Sequence, residues 1–75
     1  KEYQVVNVAV LAELFPQGGE ITVADLVAKG AVRDGYPVKV LGDGEVSAAY
    51  TIKGVKASAS AKSKIEAAGG SISED

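Results

Sequence analysis

The stretch VKVLGDGEV, residues 38–46, runs from a strand-like alternation into two glycines and two carboxylates. Three readings compete for it: a phosphate-cradling loop, a cation site, or a turn between two strands. Gly42-Asp43-Gly44 is a G-x-G, but Ser47 stands where a dinucleotide fingerprint needs its third glycine, and no helix start follows. A P-loop would end in Gly-Lys-Ser/Thr, which is missing. A calcium loop needs oxygen ligands on alternate positions over about twelve residues, closing on a glutamate. Asp43 and Glu45 alone do not make that set. The spacing favours a hairpin-like turn joining VKVL (38–41) to YTIKGV (50–55), because Asp-Gly supplies the positive φ such turns demand.

Outward from that turn the chain alternates strands and helices. YQVVNV (3–8) has the β-branched content of a strand, and VLAELF (10–15) places Leu11, Leu14 and Phe15 at i, i+3 and i+4 of a short helix. Thr22 and Asp25 in TVADLVAKG match a capping box with Asp in place of Glu, and Leu26 and Val27 turn that helix inward. In VKVL, Val38 and Val40 share one face and Lys39 and Leu41 the other. In YTIKGV, Tyr50 and Ile52 alternate with Thr51 and Lys53. Ser58 can cap a last helix carrying Ala61, Ile65 and Ala68 on one stripe, and SIS (71–73) closes the order as a strand. The order is strand, helix, helix, strand, strand, helix, strand: a small α/β domain over residues 1–75.

Seventy-five residues leave room for one core, and the apolar fraction of 47% excludes disorder. Twelve alanines stand against nineteen Val, Ile and Leu, so each core side chain buries little area and modest stability is expected. Cysteine and histidine are absent, which removes disulfides, thiolate chemistry and the commonest general base and metal ligand. No run approaches the roughly 18 apolar residues of a membrane span, so no membrane association is expected. The chain opens at Lys1 and has no methionine, which suggests a segment excised from a longer, soluble, intracellular protein.

The net charge of −2 argues against nucleic acid, but its distribution is uneven. Residues 1–28 sum to −3, residues 29–64 to +4 and residues 65–75 to −3. The basic middle makes either a one-sided face or an evenly solvated surface. For catalysis the inventory is poor: Ser47, Ser58, Ser60 and Ser63 have no histidine to activate them, and Ser60/Lys64 has helical spacing but a serine in a capping turn. No enzyme activity, cofactor, metal or small-molecule substrate is expected. Lys62 and Lys64 sit early in the last helix, where its dipole disfavours cations. Either they keep an exposed face soluble, or together they meet an RNA phosphate brought to that N-terminus.

Taken in order, YQVVNV, LAELFPQGGEITVADLVAKGAV, PVKVLGDGE and YTIKGVKASASAKSKIEAAGG resemble the C-terminal globular domain of bacterial large-subunit ribosomal protein fifteen, over about residues 3–72. The most specific part is Lys39-Val40-Leu41-Gly42-Asp43-Gly44 followed by Ser58, Ala61, Ile65 and Gly69. The resemblance implies an irregular stack of short strands and helices of the ribosomal protein fifteen/eighteen-e type. It implies a non-catalytic constituent of the cytoplasmic ribosome, a ribonucleoprotein component of translation whose partners are large-subunit ribosomal RNA and neighbouring ribosomal proteins. Carried over by position, Lys39, Lys53, Lys56, Lys62 and Lys64, with Arg33, form the RNA-facing set. The basic N-terminal arm of the family is absent here, and Ala57 stands where the family usually has a bulky residue such as Phe. With Tyr50 and the acidic ends, these departures leave a second expectation: an engineered or excised version of the fold that retains no RNA binding.

Overall fold

In the computed structural model, which describes residues 2–74, successive strands alternate between two sheets. The order is β1 (Gln4–Asn7), α1 (Val8–Leu14), β2 (Gly19–Ile21), α2 (Val23–Ala28), β3 (Val38–Leu41), β4 (Tyr50–Lys53), β5 (Lys56–Ala57), α3 (Ala59–Ala67) and β6 (Ser71–Ser73). One sheet has the order β1-β3-β5 and the other β2-β4-β6, and every pairing is parallel. The chain therefore makes three circuits, each adding one strand to each sheet. An α/β stack of short elements is what the resemblance implies, and the circuits supply its regularity.

This topology corrects the expected hairpin. β3 and β4 do not pair: Val6 lies opposite Val40 in one sheet, and Ile21 opposite Ile52 in the other. Parallel neighbours need a long crossover, and β1 reaches β3 only after α1, β2 and α2. The segment between β3 and β4 thus carries the chain from one sheet to the other rather than reversing it. Two strands, β2 and β5, are also shorter than the alternation needed to foresee them.

The core has contributions from both sheets and all three helices. Val6, Val38 and Val40 from one sheet meet Ile21, Tyr50, Ile52 and Ile72 from the other, closed by Leu11, Leu26, Ala61 and Ile65. The alternation read from VKVL and YTIK holds, with Val38, Val40, Tyr50 and Ile52 buried. Ala61 is fully buried, so the small residue lets α3 come close to the strands rather than leaving a void. Thr22 and Asp25 form the anticipated capping box, and the Ser58 hydroxyl accepts the Ala61 N–H at 3.1 Å.

The 42–44 loop is held on all sides. Lys64 Nζ donates to the Gly42 carbonyl at 2.7 Å and to the Gly44 carbonyl at 2.6 Å, while the Ala9 N–H donates to the Asp43 carbonyl at 3.1 Å. Three consecutive carbonyls thereby find donors on two different helices. A side chain at position 42 would run into the Ser60 hydroxyl and lie 2.9 Å from the Ala61 nitrogen. Gly44 has φ +111°, and a Cβ there would press on Ala9. The glycines are needed for close approach to the helices and, at Gly44, for a left-handed conformation.

Candidate nucleic-acid interface

Parallel pairing of β3 with β5 sets Lys39 directly opposite Lys56. Like charges at facing positions of a sheet oppose its stability, and at Lys56 the Glu74 carboxylate offsets this. α3 follows β5 after Ser58 and brings Lys62 to the same place. Lys39, Lys56 and Lys62 together line a groove of about 370 Å³, with Val55, Ala57 and Ile72 in its floor. Lys56 and Lys62 are exposed and Lys39 half-buried, its stem lying on the sheet.

Glu74 enters the same groove and pairs with Lys56 at 3.0 Å. The hydrogen bond to Glu74, that carboxylate's charge and the nearby Tyr3 together raise the Lys56 pKa above its ordinary value. Both partners are more than half exposed, so the pair orients Lys56 rather than locking it. The Lys56 ammonium also stands 6.0 Å from the centre of the Tyr3 ring. Among the described residues no cluster of His, Cys, Asp or Glu gathers as metal ligands.

The remaining expected residues lie elsewhere. Lys53 is exposed at the end of β4, in the other sheet, and lines no part of the groove. Lys64 is half-buried with its ammonium on the 42–44 loop. The expectation that Lys62 and Lys64 meet one phosphate together is corrected: residues two apart on a helix face away from each other, and here one turns to the groove and the other to the loop. Arg33 sits in the turn after α2, in a neighbouring cleft with Tyr3, Gln4 and Tyr36. Glu74, Tyr3 and Gln4 were not legible as site residues. Glu74 reads in sequence as part of an acidic end, and Gln4 acts on a turn 29 residues away.

Comparison with known proteins agrees with this architecture. The family model that matches residues 5–73 describes ribosomal proteins fifteen and eighteen-e of the 50S subunit and twenty-seven-A of the 60S subunit. A protein of Bifidobacterium adolescentis named large ribosomal subunit protein uL15 is 96% identical over 75 residues, covering 100% of this chain and 51% of that protein. The protein of the same name from Bifidobacterium longum is 77% identical over 74 residues, covering 99% of this chain and 49% of the relative. That from Frankia casuarinae is 64% identical over 73 residues, covering 97% of this chain and 46% of the relative. The chain spans about half the length of these relatives. With nearly every residue inside the match, the chain belongs to the family of 50S ribosomal proteins fifteen and eighteen-e and 60S ribosomal protein twenty-seven-A.

Proposed function

We propose that the chain is a structural constituent of the large ribosomal subunit that binds large-subunit ribosomal RNA through the Lys39–Lys56–Lys62 groove. The observation that carries this reading is the convergence of three lysines, from two adjacent strands and a helix, on one groove. Family membership supports it, since the relatives are named as large-subunit proteins. RNA phosphates laid along the groove would meet these ammonium groups and release counterions. Neighbouring ribosomal proteins complete the set of partners, and the setting is the cytoplasmic ribosome. The groove offers charge and shape, and the role proposed for it is positional.

The net charge of −2 and the Glu74 carboxylate inside the groove favour the opposing reading, a scaffold without RNA affinity. A salt titration of binding to large-subunit RNA separates the two. The logarithm of affinity falls linearly with that of salt, and each lysine removed lowers the slope by about 0.7–0.9. Lys39→Met plus Lys62→Met therefore reduces the slope by about 1.4–1.8. An unchanged slope removes the groove assignment, and no binding to RNA at low salt removes the function.

A further inference from the structure

Two of the three large apolar side chains most exposed on the described surface are tyrosines that share one cleft: Tyr3, 41% exposed, and Tyr36, 56% exposed. The cleft measures about 670 Å³, a volume in the range of small-ligand sites. It is held open by Gln4 rather than by the tyrosines themselves. The Gln4 side-chain amide donates to the Arg33 carbonyl at 2.8 Å and to the Tyr36 carbonyl at 3.4 Å, and its oxygen accepts the Arg33 N–H at 2.6 Å. The 33–36 turn is thus stapled to β1 through its backbone, which leaves the Arg33 and Tyr36 side chains available to a ligand. The ion pair among the described residues joins Lys56 to Glu74, so the Arg33 guanidinium has no carboxylate of its own.

The cleft is continuous with the lysine groove. A shallow depression of about 270 Å³ contains both Tyr3 and Lys56, and these two residues belong to the cleft and the groove respectively. Along one track the surface therefore offers ammonium groups, then an aromatic face, then a second aromatic face with a guanidinium. That sequence of groups suits a single strand, whose phosphates follow cations while an unpaired base stacks on a ring. A duplex keeps its bases stacked on each other and would leave both tyrosines unused.

We propose that the Tyr3–Arg33–Tyr36 cleft takes one unpaired RNA nucleotide, its base stacked on tyrosine and its phosphate on the Arg33 guanidinium, where an RNA strand leaves the lysine groove. The proposal rests on the RNA-binding reading above. Glu2 also lines the cleft, where its carboxylate disfavours a further phosphate and can accept a base amino group.

The test measures binding of this chain to a short oligouridine, a short oligoadenosine and a blunt RNA duplex by fluorescence anisotropy at low salt. Tyr36→Ala weakens single-strand binding by about 5- to 160-fold, the worth of one stacked base. Duplex affinity is unchanged, and Tyr36→Phe, which keeps the ring, restores single-strand binding. If Tyr36→Ala leaves the oligonucleotides unaffected while the duplex still binds, the cleft faces a protein partner or solvent and the proposal falls alone. Equal loss on single strand and duplex also overturns it. If no probe binds, the RNA-binding reading falls with it.

Discussion

Lys62 and Lys64 are two positions apart on α3 and have opposite fates. Lys64 turns to the 42–44 loop, half-buried, and donates to two backbone carbonyls. Lys62 turns to the open groove beside Lys39 and Lys56, exposed. The same side chain is in one case a structural donor and in the other an uncommitted charge. What separates them is the direction of one helical step and whether carbonyls without other partners lie within reach. A lysine becomes part of a fold when it satisfies backbone groups, and a candidate for recognition when its ammonium is exposed and bonds no backbone group.

The sharpest way to break this comparison is to disturb the loop that Lys64 holds. Gly44→Ala places a side chain on a residue at φ +111° and against Ala9, whose N–H bonds the Asp43 carbonyl. The expected cost is about 2–3 kcal/mol, from backbone strain and overpacking together. A urea titration reads it as a lower midpoint with an unchanged slope. A variant as stable as the parent would show that the loop is not fixed by its close approach to α1.

A smaller effect tests the two lysines directly. Lys64→Met keeps the aliphatic stem but leaves the Gly42 and Gly44 carbonyls without their donor. It lowers stability by about 1–2 kcal/mol, the lower part of the range for charged donors because the Gly44 end is exposed. Lys62→Met leaves stability within about 0.5 kcal/mol. The salt dependence of RNA binding shows the reverse pattern, weaker in Lys62→Met and unchanged in Lys64→Met. Equal behaviour of the two variants in both measurements would dissolve the distinction.

The sequence carries this distinction in part. Helical spacing alone puts residues 62 and 64 on different sides, and a pairing of the two on one phosphate disregards that spacing. The capping box at Thr22 and Asp25 was legible because its atoms lie within three residues of each other. The buried faces of VKVL and YTIK were legible because alternation is local to each strand. Strand partners were not: a turn-forming Asp-Gly between two strands looks the same whether the chain reverses or crosses to another sheet. Here the next neighbour of each strand arrives a full circuit later. β5 has two residues, too few for any period, yet its pairing puts Lys56 beside Lys39. The groove is thus a product of long-range register, and the tyrosine cleft depends on a Gln4 bond to a turn far along the chain.

Tyr50 extends the comparison to a neutral donor and gives it a pH readout. Its ring is 1% exposed in the core, and its hydroxyl donates to the Phe15 carbonyl at 2.6 Å, with the Leu11 carbonyl at 3.2 Å. Like Lys64, it donates to backbone carbonyls, in this case two at the end of α1 that also accept the Phe15 and Gly18 N–H groups. Burial raises its pKa above the ordinary value of 10.0. Above that value the unfolded chain releases the tyrosine proton while the folded chain retains it, so the folded state binds more protons and stability falls as pH rises. The contribution is complete below pH 10.0 and is lost as the pH passes up through the raised value. Tyr50→Phe removes the hydroxyl but not the ring, lowering stability at neutral pH by about 1 kcal/mol. Between about pH 9 and 12, denaturation of the variant shows a flatter alkaline decline than that of the parent, and parallel declines would mean that the hydroxyl is not sealed from solvent.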